Sequence, residues 1–284
     1  KSEISLNSIA AKIMKTNKAI CSPDIYENVG FNTIRSWLGE NCLCSLNEGY
    51  FYELEPLSSK VEIEESQSFS DELLASYQRN SPVPMETIPD ITEILSIMEI
   101  VGSQLNADHF QELYQILNCS SRIKQALKKN DFPIWHSNSR NLINSSAAVS
   151  VMEKVFDAKF QMKFDASEEL QRFSRAIVTI EGTIKDTMVK LMARARSENW
   201  LQGNQVVWRN GRSMLPLKVS QKRKIKGIVQ DQSATGQTAY IEPMEIIELN
   251  NQLTDLQFER KEEENRILRE LTAYFHPMAG QIKE

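Results

Sequence analysis

The stretch that most limits what this chain can fold into runs from Ala166 to Gln202. No proline interrupts it, and Gly182 is its only helix breaker. Leu170, Ile177, Ile184 and Leu191 recur every seven residues, with Phe173 and Ile180 at the intervening positions. That repeat lays an apolar stripe along one side of a helix and requires a partner helix to cover it. At about 1.5 Å of rise per residue the helix would reach roughly 50 Å, too long to lie wholly inside a small globule. Asp165, three residues before Glu168, supplies a capping-box start.

The partner lies downstream. Pro243 suits the first turn of another helix. Ile246, Leu249, Leu253, Leu256, Ile267 and Tyr274 form a second seam. Arg260 and Glu263 interrupt it, so its middle is expected to be solvated or to meet a partner. Between the seams the period changes. QVVW and RSMLPLK flank Asn210-Gly211, the dipeptide that type I′ hairpins favour. KIKGIVQDQ and GQTAYIEP are joined by Ser233-Ala234-Thr235-Gly236, a second turn signal. Residues 203–243 therefore read as a small antiparallel β unit with Trp208 and Tyr240 in its core.

The first half is helical in pattern. FNTIRSWL places Phe31, Ile34, Trp37 and Leu38 at helical spacing. An acidic helix follows a turn at Pro56, and Pro82, Pro84 and Pro89 make residues 81–90 an extended connector. Two more amphipathic segments, ITEILSIMEIVGSQL and HFQELYQILNCSSRIKQAL, follow it. The expected fold is mainly α with a small antiparallel β unit: an all-α core plus two long antiparallel lever helices carrying a β clamp at the tip. The expected boundaries are a leader at 1–30, a helical core domain at 31–165, an outgoing lever helix at 166–202, the β clamp at 203–243 and a returning lever helix at 244–284.

The formal net charge is −5. The chain as a whole is no polycation, so contact with nucleic acid has to come from a local patch. Between Glu198 and Asp231 there is no acid at all, yet Arg209, Arg212, Lys218, Lys222, Arg223, Lys224 and Lys226 lie there. Lysines can serve to keep a sheet edge from aggregating. Adjacent, unpaired bases at the end of an arm fit a phosphate-contacting tip better.

Catalytic signals are missing. His109, His136 and His276 stand in no H-E-x-x-H motif. His136 reads as a structural residue at a turn, and His276, before Pro277, as a helix end. Ser233 has no His nearby; Asp231 and Ser233 are expected to bond backbone N–H groups while Gly236 takes positive φ. Of the four cysteines, Cys21, Cys42, Cys44 and Cys119, none has zinc-site spacing. They read as small buried thiols in a reducing, cytoplasmic setting. No apolar run reaches roughly 18 residues, so no membrane span is expected. No G-x-x-x-x-G-K-[ST] is present. No catalytic residue, metal site or cofactor is assigned within the chain.

The run Lys218–Asn251 closely resembles the clamp segment of the second bacterial branch of MutS-type ATPases, the paralogues without mismatch-reading N-terminal domains. The resemblance rests on Lys224-Ile225-Lys226-Gly227, on Asp231 through Gly236, on Ile241-Glu242-Pro243, and on Glu248-Leu249-Asn250-Asn251. Ala166 through Leu170 looks like the start of that branch's first lever helix. Ile88-Pro89-Asp90-Ile91 and the Phe31–Glu55 stretch resemble its N-terminal body. The likeness covers roughly residues 31–284 and is most specific over 211–251. Gln230 departs from it, standing where the family commonly has His.

The resemblance implies that Gly227, Asp231, Ser233, Gly236, Glu242, Pro243, Asn250 and Asn251 form a structural clamp motif. It implies the core, lever and clamp portion of a larger ATPase, a homodimer whose ATP- and Mg-using domain and small nuclease domain would follow Glu284. The implied partners are duplex or branched DNA and the ribosomal RNA of collided ribosomes. The implied roles are recombination suppression and ribosome rescue. The alternative is a coiled-coil protein-interaction module whose β tip docks an acidic protein surface without touching nucleic acid.

Overall fold

The computed structural model describes residues 22–44, 48–128, 131–143, 145–209 and 211–283. Most of the expected leader, Cys21 and Asn210 lie outside the described residues. The chain divides into two units, residues 1–161 with 268–284, and residues 162–267.

The first unit is helical: α1 (Pro23–Asn28), α2 (Phe31–Glu40), α3 (Glu48–Tyr52), α4 (Lys60–Gln78), α5 (Thr92–Met98), α6 (Ala107–Ala126), α7 (Pro133–Asn138) and α8 (Ser146–Val155). Proline opens α1 and α7, where its missing N–H costs nothing. Asn106 starts α6 with a reciprocal cap, its side chain accepting from the His109 N–H at 2.8 Å while the His109 ring accepts from the Asn106 N–H. The three-proline connector stays non-helical through residues 81–90. Met98, Leu105, Phe110, Leu113, Leu117 and Met152 are fully buried. Phe156 and Phe275 close on Phe110 at ring separations of 5.8 and 6.1 Å. The apolar spacing of α2 yields a helix but not a buried stripe, since Trp37 is 62% exposed. His136 sits within α7, its Nδ1 2.7 Å from the Leu127 carbonyl, rather than at a turn.

The second unit pairs two long helices with a sheet. Helix α9 (Glu168–Ser197) has 30 residues and α10 (Met244–Phe275) has 32, its last turns from Leu268 onward belonging to the first unit. The cap of α9 is Ser167, not Asp165: its Oγ accepts from the Leu170 N–H at 3.0 Å, and Asp165 is exposed. Hydroxyl caps serve as well as carboxylates here, and Glu168 and Glu169 add favourable charge in the first turn. The buried stripe runs through Leu170, Ile177 and Ile184, then Met188, Met192 and Ala195. A straight helix drifts off a strict seven-residue repeat, so the two-turn step after Ile184 lengthens to reach Met192, and Leu191 is only half-buried. In α10 the same drift buries Phe275 and leaves Tyr274 38% exposed.

The polar interruption of the second seam is solvated in part: the Arg260 side chain is 42% exposed and pairs with Glu264, whereas Glu263 is closed off from within. Glu263 is buried, accepting from Ser167 Oγ at 2.6 Å and from Arg266 at 2.7 Å. The Arg266 guanidinium, and then the Ser167 hydroxyl, hold its carboxyl below the usual range against the opposing effect of burial. Because the start of α9 meets a late turn of α10, while Ala195 and Ile246 share one apolar cluster, the two helices run antiparallel.

The sheet comprises β1 (Val207–Arg209), β2 (Arg212–Lys218), β3 (Gly227–Gln232) and β4 (Thr238–Pro243) in the order β1-β2-β4-β3, every neighbour antiparallel. Gly211 and Gly236 supply the positive φ that the two hairpins need, at 74° and 67°. Strands β2 and β3 thus run parallel on either side of β4, and residues 219–226 cross between them. Leu215, Leu217, Ala239 and Ile241 pack on Met192, Ala195, Ile246 and Leu253 of the helix pair. Trp208 is not a core residue: it is 53% exposed, on the face of β1 opposite the half-buried Val207 and Arg209. Tyr240 is half-buried.

Among the described residues no helix is long and apolar enough to cross a membrane, and no cluster of three His, Cys, Asp or Glu side chains could hold a metal. Cys119 is buried, whereas Cys42 and Cys44 are half-buried free thiols.

Candidate nucleic-acid interface

The crossing segment 219–226 is a basic loop on a fixed backbone. It starts as a 3-10 turn at Val219–Gln221, tightened by bonds from Lys222 N–H to the Val219 carbonyl and from Lys224 N–H to the Gln221 carbonyl. Ile225 then turns inward and joins the apolar cluster beneath the sheet. The Lys226 carbonyl accepts from Met244 N–H at 2.9 Å, tying the loop to the first turn of α10. Gly227 passes so close to β4 that an added Cβ would lie 2.2 Å from the Glu242 carbonyl oxygen. Arg223, Lys224 and Lys226 are exposed and Lys222 is half-buried. None of the four side chains has a hydrogen bond or ion pair with another described residue. One buried isoleucine and one close-packed glycine therefore hold four unneutralised cations in a short span, an arrangement that attracts a polyanion.

The other three bases in the acid-free window are engaged. Arg209 pairs with the Asp231 carboxylate and lies 4.0 Å over the Tyr240 ring. Arg212 donates to Glu242 Oε1 at 2.7 Å and to Asn251 Oδ1 at 2.6 Å. Lys218 Nζ donates to the carbonyl and side-chain oxygens of Asn199 at 3.0 and 2.7 Å. Asp231 and Glu242 lie outside the window in sequence, but the fold brings their carboxylates to Arg209 and Arg212, so a linear charge count overstates the free positive charge.

The clamp-motif residues build the frame behind the loop. Glu242 is fully buried and accepts from Arg212, from Asn250 Nδ2 at 2.7 Å and from Gln230 Nε2 at 2.5 Å. Gln230 is the extra residue of a β-bulge between Val229 and Asp231, which turns its side chain toward that carboxylate. The position thus requires a donor, which glutamine supplies. Pro243 ends β4 opposite Gly227. Ser233 Oγ accepts from Thr238 N–H at 3.0 Å, and Asp231 Oδ1 accepts from Gln232 N–H at 2.7 Å. Gly236 N–H donates to the Ser233 carbonyl at 2.8 Å. These are turn and ladder bonds.

No family model matches the chain. It is 28% identical over 257 residues to the Endonuclease MutS2 of Alkaliphilus oremlandii, covering 89% of this chain and 32% of that protein. It is 30% identical over 235 residues to the Endonuclease MutS2 of Lactococcus lactis subsp. lactis, covering 82% of this chain and 30% of that protein. The Endonuclease MutS2 of Aquifex aeolicus is 29% identical over 233 residues, 81% of this chain and 30% of its own length. This chain is a MutS2-related segment. It spans about a third of the length of the MutS2 relatives it matches. The clamp motifs of the MutS2-related segment are thus residues with a visible structural task, and the four loop bases are those left without one.

Proposed function

We propose that this MutS2-related segment is a clamp and lever that grips the phosphate backbone of a nucleic acid. The observation that carries the reading is the set of four unpartnered bases, Lys222, Arg223, Lys224 and Lys226, on a backbone pinned by Ile225 and Gly227. Arg209 and Arg212, neutralised by Asp231 and Glu242, brace the sheet, while Lys218, bonded to the neutral Asn199, adds to its potential. Phosphate contacts position a protein and carry no base information, so duplex or branched DNA and ribosomal RNA both fit. Dimerisation, use of ATP and Mg, and nuclease activity are functions this reading assigns to the whole protein rather than to this segment. Recombination suppression and rescue of collided ribosomes are the roles we assign to the whole cytoplasmic protein.

Alanine at all four loop positions should lower the log–log salt slope of binding by roughly three to four, about one for each phosphate no longer neutralised. A charge-reversed quadruple variant that binds duplex DNA and ribosomes unchanged overturns the reading. Crosslinking from Lys224 in cells separates DNA from ribosomal RNA as the target.

A further inference from the structure

A cleft of about 410 Å³ opens on the sheet, lined by none of the four loop bases. Gln202, Asn204 and Gln205 form one wall; Pro216, Thr238 and Tyr240 form the other. Pro216 and Tyr240 are register partners on β2 and β4, so the second wall is two adjacent strands. The Gln202 N–H donates to the Pro216 carbonyl at 2.9 Å and fastens the first wall to the second. Arg209, itself held by Asp231, lies over the Tyr240 ring and fixes it before any ligand arrives. The three amide side chains are exposed and carry no hydrogen-bond partner among the described residues.

The lining selects a chemistry. No lining residue is charged, so a phosphate finds no counter-ion there. An apolar ligand would strip water from three amides without replacing their hydrogen bonds. A flat ring edged with donors and acceptors satisfies both walls. Each amide offers two donors and an acceptor, the pairing that Asn and Gln make with base edges. The half-buried Tyr240 gives the ligand ring a stacking contact on the face that Arg209 does not cover, beside the buried Pro216. The volume falls within the range of about 300–1,000 Å³ typical of small-ligand sites. Strand β2 leads from Pro216 directly into the basic loop at Val219.

We infer that this cleft takes an unpaired nucleobase on a strand whose phosphates the basic loop holds, an inference that rests on the phosphate reading above. A stacked, paired base cannot enter such a cleft, so the ligand is extrahelical or single-stranded. DNA and RNA share that chemistry.

The test uses the full 284-residue chain. Its affinity is measured for DNA and RNA duplexes carrying one bulged 2-aminopurine and for their fully paired counterparts. The bulged form should bind at least about fivefold tighter, the lower end of what one base–aromatic contact contributes. Its 2-aminopurine fluorescence should change on binding. Tyr240→Ala should erase the preference. So should the exposed pair Asn204→Ala with Gln205→Ala, which spares the strand wall if Tyr240→Ala fails to fold. A preference confined to DNA or to RNA identifies the source and supports the inference either way. Equal affinity for bulged and paired duplexes, or a preference that survives the amide substitutions, overturns it. The phosphate reading fails separately, when paired-duplex affinity ignores the loop substitutions.

Discussion

Glu242 and Lys224 show how single residues on one sheet divide between holding the fold and facing a partner. Glu242 is 0% exposed and satisfies three donors at once. Replacing it with alanine strands the Arg212 cation and the buried Asn250 amide. Removing one partner of a buried pair costs about 3–5 kcal/mol, and the 28% exposure of the Arg212 side chain puts Glu242→Ala near the lower end. Urea unfolding of the variant measures that destabilisation. Lys224→Ala, by contrast, should stay within about 0.5 kcal/mol of the parent, as exposed substitutions without partners do. Gly227→Ala is a third case. Its Cβ would strike backbone atoms of Glu242, which cannot swing away as a side-chain tip would. Overpacking of that kind costs about 1–3 kcal/mol, and here it should also disturb the Gly227–Pro243 end of the ladder. Exchange of the Ile228 and Val229 amides checks the second effect.

The helix pair was legible at the level of elements because its apolar steps are local and periodic. Leu170, Ile177 and Ile184 lie where a seven-residue repeat puts them. The later stripe was not, since Met188, Met192 and Ala195 follow the natural pitch of a straight helix instead of the repeat. Both hairpins could be read from Gly211 and Gly236, residues that a turn at positive φ demands. What the sequence hid was long-range. The Ser167 cap of α9 is local, bonding Leu170 three residues on, but Ser167 and Glu263 are 96 residues apart, so the closure of the α10 seam had no local signature. The same holds for Arg209 and Arg212, whose acids lie beyond the acid-free window, and for the amide wall of the cleft. The Ser167–Glu263 bond has a pH consequence. The Glu263 carboxyl is held below the ordinary range when folded, so its stabilisation is fully present above the unfolded value of about 4.3 and disappears as pH falls through the folded one. Glu263→Gln should therefore destabilise most near neutrality, and its gap from the parent should narrow steadily as pH falls below about 5. Urea unfolding across that range measures the gap. Ser167→Ala should cost about 1 kcal/mol from the cap alone.

For the whole molecule the sign of the charge matters less than its placement. The chain is acidic, with formal charge −5, and its long-range field repels a polyanion. Close contact can still win, because screening confines the repulsion to about 8–10 Å at moderate salt. Two quadruple alanine variants separate field from contact. One removes Lys222, Arg223, Lys224 and Lys226; the other removes Lys154, Lys159, Lys185 and Lys190, all exposed and outside the loop. Each variant gives up four positive charges and reaches −9. If net charge governed binding, the two would weaken it alike. With the loop as the binding surface, the first should lower the salt slope by roughly three to four, while the second shifts it by less than about one. Titrating both variants with a paired duplex from low to physiological salt decides between these outcomes, because the difference lies in the slope and not only in the affinity at one ionic strength.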